Sequence, residues 1–492
     1  MARYLGATLA ADAFIAAFKI PNLLQNLFGE GALSASFIPV YANLLARDDP
    51  EEAGRVAGAV AAILALVTSG VVLIGVIGAP YLIPLIAPGF DGQRRELTIT
   101  LTRILFPGAG LFVLSAWCLG VLNSHRRFLL SYAAPILWNV AMIAALAFYG
   151  RRQSSIDLAS SLAWASVAGA ALQFLAQVPM VLKLVPRLRL ALGRGRVGVR
   201  RVVTNFTPVF FSRGVVQISA YVDQLLASLL PAGTVALLGY AVVVYTLPVS
   251  LFGMAISAAE LPEMASAVGG HDETAAYLRG RLNAGLRRIA YFVIPSATAL
   301  LVLGDVLART LFESGRFTVA ETRFTWAILA GSSVGLLAST LGRLYSSTYY
   351  ALHDTQTPLR FAILRVVLTT VLGYAFAIPL PRLLGIDAHW GAAGLTASAG
   401  IAGWVEFVLL RSRLNRRIGH TGIPASFLAL LWSAAILSAA TAYGFKVIVA
   451  DYPRFVFAAI VLGTFGLLYF ALSVVVGIPE SRDLLLRVRR RA

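Results

Sequence analysis

Long apolar runs separated by short polar gaps fill this chain from about residue 8 to about residue 477. Each run has about 20 residues or more, which is enough to cross roughly 30 Å of hydrocarbon as an α-helix. The runs are apolar on all sides, unlike the alternating strands of a membrane β-barrel. The pattern predicts an all-α polytopic membrane protein with about 13 transmembrane helices, at 8–28 running on to about 45, 56–88, 97–123, 130–149, 156–182, 202–230, 234–265, 285–312, 323–351, 358–380, 389–410, 424–448 and 455–477.

The polar gaps differ in basic charge. The chain has 41 Lys and Arg against 23 Asp and Glu, a net charge of +18. One alternate set of gaps, from Arg47 and Arg55 to the tail around Arg487, holds more than twice as many basic residues as the other set. Because basic residues concentrate in short cytoplasmic loops, we expect a multi-pass protein of the bacterial cytoplasmic membrane with a cytoplasmic C-terminus. Charge spread over many loops does not indicate nucleic-acid binding.

Few residues are suited to enzymatic or metal chemistry. Cys118 is the single cysteine, which excludes an internal disulfide and a cysteine-based metal cluster. Zinc-protease, phosphate-loop and nucleophile-elbow motifs are absent, and the longest polar connection runs only from about 183 to 201. We therefore expect a transporter and not an enzyme, with no catalytic residue, metal or cofactor.

The first forty residues place charges inside apolar sequence. Asp12, Lys19 and Glu30 interrupt the first run, and Pro21 and Pro39 are expected to kink or break its helix. Charges at membrane depth cost several kcal/mol unless they face a partner or a wet cavity. The stretch is thus typical of one wall of a transport pathway. In the alternative, Asp12 and Glu30 lie at the two membrane interfaces, since about 18 helical residues span about 27 Å.

Four segments resemble a known family. The run ADAFIAAFKIPNLLQNLFGEGALSASFIPVY resembles the signature of the MurJ (MviN) family, the lipid II flippases of bacterial cell-wall synthesis. Three further segments match the same family in order and at its spacing: LPVSLFGMAISAAELPEMA at 247–265, LFESGRFT at 311–318 and YYALHDTQTPLR at 349–360. The resemblance covers essentially the whole chain.

The resemblance implies a fold of the multidrug/oligosaccharidyl-lipid/polysaccharide exporter type. Such a fold has two pseudo-symmetric six-helix lobes and two extra C-terminal helices that shape a lipid groove. It implies an N-terminal lobe at 1–184 without most of the family's first helix, a basic cytoplasmic linker at 185–201, a C-terminal lobe at 202–418, and the two additional helices with a basic tail at 419–492.

The resemblance also implies a central cavity that binds the substrate diphosphate. The family usually has arginine where this chain has Gln25 and, in the eighth helix, at about Val243. Phosphate oxygens favour guanidinium forks, so these departures are expected to weaken binding. Arg213, inside the apolar run at 202–230 that matches the family's seventh helix, offers a replacement, and we expect Arg213 and Lys19 to supply the cationic site. Alternatively, Arg213 extends to the cytoplasmic interface.

Other polar residues complete the predicted site. Asp12 and Glu30 match acidic positions of the family motif, and Asn26 follows Gln25; we place all four in the substrate-binding cavity. Gating or supporting roles are predicted for Asp223, Glu260 and Arg343. Glu260 and Glu263 are also expected to pair with loop arginines, while Arg343 either contacts a lipid headgroup or pairs with a neighbour.

The function implied is transfer of lipid II across the membrane by alternating access of the two lobes. The expected partners are lipid II, membrane lipids and the cell-wall synthesis machinery. Three alternatives are a flippase for another polyprenyl-diphosphate-linked saccharide, a cation-coupled small-molecule exporter of the same superfamily, and an intramembrane glycosyltransferase. The glycosyltransferase should carry acidic or histidine clusters in a long outer loop, which the sequence lacks.

Overall fold

The computed structural model describes residues 1–28, 33, 36–186, 188, 197–266 and 270–482, without the side chains at 197, 208–220 and 271. Helices make up most of this described part, and none of it is β-strand. In chain order they are α1 Ala2–Leu5, α2 Leu9–Phe28, α3 Ile38–Ala46, α4 Pro50–Ile86, α5 Gly92–Ser124, α6 Phe128–Tyr149, α7 Ser155–Leu184, α8 Val197–Ser228, α9 Thr234–Ala265, α10 His271–Val302, α11 Gly304–Phe312, α12 Val319–Ala351, α13 Gln356–Ala377, α14 Pro379–Leu383, α15 Gly391–Ile418, α16 Ala425–Ile448 and α17 Arg454–Val475. Helix α9 contains a π-helical segment, Val249–Met254.

The predicted all-α polytopic fold is confirmed. Within the described ranges, 11 helices are long and apolar enough to cross a membrane. Helices α2 and α8 correspond to the two remaining predicted spans. Helix α2 carries five polar residues in otherwise apolar sequence, namely Asp12, Lys19, Asn22, Gln25 and Asn26.

The chain divides into two compact units, which we call the first unit (Arg3–Ala236) and the second unit (Leu237–Ala492). In the first unit α5 is central, with α2, α4 and α7 packed on it and α6 packed on α7. A buried polar network joins α5 to α7: the Ser115 hydroxyl donates to Gln177 Oε1 at 3.0 Å, and Gln173 Nε2 donates to the Ser115 oxygen at 2.9 Å. The lobe boundaries expected from the sequence stay predictions.

In the second unit, the central helix is α12, which packs against α15, α10 and the end of α9. Its start is specified locally by a capping box, in which Thr318 and Glu321 each bond the other's backbone N–H. Helices α12 and α15 approach closely at two glycines, since a Cβ on Gly335 would lie 2.3 Å from the Cα of Gly400. Only glycine permits this backbone contact.

Ion pairs and rings attach the last two helices to the second unit. At one end Lys446 of α16 pairs with Asp305 of α11 at 2.6 Å, and Arg309 lies over the ring of Phe457 in α17 at 4.7 Å. On α10, the backbone carbonyl of Tyr291 accepts a hydrogen bond from the Tyr469 hydroxyl at 2.7 Å. The two helices are therefore held by directional contacts as well as by apolar packing.

The Gly335–Gly400 contact predicts a position-specific loss of stability. Gly335→Ala should lower the melting temperature of the detergent-purified protein clearly, because overpacking typically costs about 1–3 kcal/mol. Gly342→Ala on the same helix is the matched control, since a Cβ there meets nothing within 4 Å. Equal melting temperatures for the two variants would show that α12 and α15 are not this close.

Candidate functional site

Three polar residues lie along one face of α2. Asp12, Lys19 and Asn26 follow one another at seven-residue spacing, which places them on the same side of a helix about 10 Å apart along its axis. Asp12 is fully buried, whereas Lys19 and Asn26 are half-buried. The predicted site residues of α2 thus form a polar line through a membrane-spanning unit.

The Asp12 carboxylate accepts three short hydrogen bonds within the first unit. Arg94 Nη2 donates to Oδ2 at 2.6 Å, the Gly233 N–H donates to Oδ2 at 2.6 Å, and the Ala236 N–H donates to Oδ1 at 2.7 Å. The two amides belong to the start of α9, where backbone N–H groups lack helical acceptors and the helix dipole favours an anion. Asp12 therefore caps α9 from a different helix.

The groups around Asp12 are themselves tightly fixed. The Arg94 guanidinium lies 3.7 Å from the centre of the Phe90 ring and is 6% exposed. Gly233 has φ +95°, and a Cβ there would lie 2.3 Å from the carbonyl oxygen of Ala7. The turn before α9 therefore requires glycine, and it aims the two amides at Asp12.

Lys19 lies beside α8. Its ammonium is 5.9 Å from the centre of the Tyr221 ring, and the Tyr221 hydroxyl donates to the Lys19 backbone carbonyl at 2.9 Å. The carboxylate whose charge acts on Lys19 is Asp223, two residues further along α8. The structure therefore brings together Lys19 and Asp223, which the sequence assigned to the binding site and to a supporting role respectively.

Other predicted residues of this region are less constrained. Gln25 is half-buried on α2, like Asn26. Glu30 lies outside the described residues, and so does the side chain of Arg213, although its backbone is part of α8. Their predicted places in a cavity stay predictions.

Glu260 forms an ion-pair cluster in the second unit. Its buried carboxylate pairs with Arg281 at 2.8 Å and with Arg288 at 3.4 Å, and Arg281 also reaches Glu263 at 3.6 Å. The expectation of ion pairs with arginines is confirmed, with the difference that these arginines lie on helix α10 and not in a loop. The gating role of Glu260 stays a prediction.

Arg343 has an exposed side chain on α12 between the buried residues Gly342 and Leu344. Among the described residues it forms no ion pair. Both sequence alternatives for it, a lipid headgroup contact and a pairing with a neighbour, remain open.

The DTQTP loop is organised by Asp354. Its carboxylate accepts bonds from the Thr357 N–H at 3.0 Å and the Thr357 hydroxyl at 2.8 Å, and it pairs with Arg417 at 2.8 Å. Burial acts to raise the pKa of Asp354, but these hydrogen bonds and the Arg417 charge outweigh burial and hold that pKa below its ordinary value of 3.8. The motif thus joins the start of α13 to the end of α15.

Sequence reasoning missed the partners of Asp12. Arg94 lies in a polar gap between two apolar runs, and its pairing with Asp12 joins residues 82 positions apart. The backbone amides of Gly233 and Ala236 carry no side-chain signal. One local sign was present, because PAGT at 231–234 is typical of a turn that precedes a helix.

The fold resembles that of solved membrane transporters. A solved structure described as an inward-facing conformation of a multidrug resistance MATE family transporter of the MOP superfamily matches with TM-score 0.69 and 16% identity, covering 84% of this chain and 93% of that one. At this identity the likeness concerns the fold, and it agrees with the exporter-type architecture expected from the sequence.

Family comparisons are more specific. The family model described as lipid II flippase MurJ matches residues 1–463. The lipid II flippase MurJ of Burkholderia cenocepacia is 33% identical over 89% of this chain and 84% of its own length, and the probable lipid II flippase MurJ of Rhizobium meliloti is 32% identical over 89% and 81%. A solved structure of lipid II flippase MurJ in an inward closed conformation matches with TM-score 0.77 and 22% identity over 98% and 95%. The chain belongs to the MurJ family.

The Asp12 contacts predict that charge reversal will not restore stability. Asp12→Arg and Arg94→Asp should each lower the melting temperature of the purified protein, since breaking a buried ion pair costs about 3–5 kcal/mol. The double variant should stay as unstable, because an arginine at position 12 cannot accept from the α9 amides. Arg95→Gln, at an exposed neighbouring position, is the control. A double variant as stable as the wild type would mean that the ion pair alone matters.

The Asp354 contacts predict a pH dependence. The folded pKa lies below the unfolded one, so the carboxylate contributes stability above the unfolded pKa, and this is lost as the pH falls through the folded pKa. Asp354→Asn should therefore melt below the wild type at pH 7, and the gap should close at pH values below the ordinary 3.8. A constant gap from neutral to strongly acidic pH would contradict a role for the charge.

Proposed function

We propose that this chain is a flippase that moves lipid II from the inner to the outer leaflet of the bacterial cytoplasmic membrane by alternating access. The proposal is supported by membership of the MurJ family, whose model and relatives carry the name lipid II flippase. The observation that carries it is a half-buried cation, Lys19, which lies beside Tyr221 and Asp223 on α2, a membrane span predicted from the sequence. Lysines inside a membrane are rare and are typical of substrate or ion pathways.

The chemistry of lipid II explains why such a residue is needed. Its polyprenyl tail is stable in hydrocarbon, whereas its diphosphate and glycopeptide headgroup require water, cations and hydrogen-bond donors. In this proposal Asp223 balances the charge of Lys19 before substrate binds, and the diphosphate then replaces Asp223 as the partner of Lys19. Arg213, Gln25, Asn26 and Glu30 complete the polar lining.

In the proposed cycle, the Asp12 contacts hold the outer end of α2 against the start of α9. Opening of the site toward the outside requires α2 to separate from the start of α9. This separation removes the two hydrogen bonds that the Gly233 and Ala236 amides donate to a buried carboxylate, so the intact contact favours the state closed to the outside. The outward state must then be stabilised by other contacts, including those of the bound headgroup.

The proposed topology follows the distribution of basic residues. The C-terminus lies in the cytoplasm, the segment at 185–201 is a cytoplasmic linker, and the lobes correspond to 1–184 and 202–418. Proteins of the cell-wall synthesis machinery are the expected partners on the outer side, where lipid II is consumed.

Cells provide the test of this function. In a bacterium depleted of its own lipid II flippase, this chain should restore growth, while Lys19→Gln and Arg213→Ala should not, because each removes a proposed diphosphate ligand. Lys19→Arg should restore growth at least partly, since it keeps a cation. Arg95→Gln is the matched control for loss of a basic residue.

Membrane amounts of every variant are measured in parallel by immunoblot. Growth supported fully by Lys19→Gln would contradict the role of Lys19 in binding. Failure of the wild-type chain to support growth, at normal membrane levels, would contradict lipid II as its substrate and would favour another lipid-linked saccharide.

A further inference from the structure

Tyr221 of α8 contacts Lys19 at two different places. Its hydroxyl donates to the Lys19 backbone carbonyl at 2.9 Å, and the centre of its ring lies 5.9 Å from the Lys19 ammonium. The two residues are 202 positions apart in the chain, and both belong to the first unit. One side chain of α8 therefore contacts both the main chain and the charged end of Lys19.

The hydrogen bond meets α2 beside a proline. The carbonyl that accepts it lies two residues before Pro21, which is buried inside α2. Pro21 has no N–H, so it cannot bond the Ala17 carbonyl one turn earlier, and helices tend to bend at such a point. A backbone carbonyl has two lone pairs and can accept a side-chain bond beside a helical one. Tyr221 thus supports α2 at a turn that lacks one of its own hydrogen bonds.

Apolar packing holds the same turn of α2. Ile20 is buried in a cluster with Ile83 of α4 and Phe106 of α5, and Ala17 is fully buried. Packing of this kind fixes the helix itself. The Lys19 side chain is half-buried and has a flexible four-carbon stem, so its charged end needs a separate restraint.

The Tyr221 ring supplies a restraint that carries no charge. An ammonium near an aromatic ring is attracted by the ring electrons, and the contact leaves its positive charge in place. Asp223, whose charge acts on Lys19, is a different kind of partner, because a carboxylate competes with phosphate for the same cation. Tyr221 can therefore stay in contact with Lys19 when the anionic partner changes.

We propose that Tyr221 is a positioning residue for the binding of the lipid II diphosphate. It holds the Lys19 ammonium in place while the diphosphate replaces Asp223, so the lysine side chain is already ordered before the substrate binds. Tyr221 acts through Lys19 and does not itself contact the substrate. The inference rests on the proposed function and deepens it, because it names the group that sets the geometry of the cation.

Translocation of lipid II by the full chain in liposomes, followed over a range of lipid II densities, tests this role. Tyr221→Phe keeps the ring and removes the hydroxyl, so it should raise the apparent KM roughly threefold. Tyr221→Leu removes both contacts and should raise the apparent KM about tenfold. The maximal rate should stay within about twofold of the wild type in both variants, because only binding is affected.

Tyr349→Phe is the matched control. The buried Tyr349 hydroxyl also donates to a backbone carbonyl, that of Leu410 at 3.0 Å, but both residues lie in the second unit. This variant loses a hydrogen bond of the same kind and should keep the wild-type KM. Melting temperatures of all variants are measured in parallel, so that a general loss of stability is recognised.

A second measurement asks whether Tyr221 acts through Lys19. Lipid II binding to the full detergent-purified chain is measured by native mass spectrometry in two backgrounds. Tyr221→Phe should weaken binding roughly threefold when Lys19 is present. In the Lys19→Gln background it should have no further effect, since no ammonium remains to be positioned.

Three results would overturn the inference and leave the flippase function intact. The first is a wild-type KM for Tyr221→Leu, and the second is a lower maximal rate at unchanged KM, which would assign Tyr221 to the movement and not to binding. The third is an equal loss of affinity from Tyr221→Phe with and without Lys19. Absence of translocation by the wild type would instead contradict the proposed function, and this inference with it.

Discussion

The contact between the Asp12 carboxylate and the amides at the start of α9 determines how helices pack around the buried charge in the first unit. A buried carboxylate needs hydrogen-bond donors, and the backbone N–H groups at the start of a helix need acceptors. The two groups therefore satisfy each other. Arg94 supplies the compensating charge and fixes α5 to the same oxygen that accepts from Gly233. Three helices are thereby joined through one side chain.

The position of α2 determines where its other polar residues lie. With Asp12 fixed, Lys19 lies two turns further along the helix, where its ammonium is 5.9 Å from the centre of the Tyr221 ring of α8 and feels the charge of Asp223. The same helix thus carries an anchored anion and a cation whose partner is exchangeable in the proposed cycle. Helix α2 is thus held by strong hydrogen bonds near Asp12, while the charge of Lys19 is balanced near its middle. In the proposed cycle this arrangement lets the protein change state without losing its fold.

Much of the architecture follows from hydrophobic patterning, because a segment of about 20 apolar residues has few options other than a membrane helix. The charged face of α2 was also predictable, since Asp12 and Lys19 stand out in apolar sequence. Their partners were not, because Arg94 and Asp223 are distant in the chain and the amides of Gly233 and Ala236 carry no sequence signal.

Transport of lipid II in a defined membrane is the most direct measurement of the central claim. Purified chain is reconstituted into liposomes that contain fluorescent lipid II, and the fraction that reaches the opposite leaflet is followed with a membrane-impermeant quencher. The account predicts translocation by the wild type, little by Lys19→Gln, and wild-type translocation by Arg95→Gln. Equal translocation by wild type and Lys19→Gln, or none by any folded form, would contradict it.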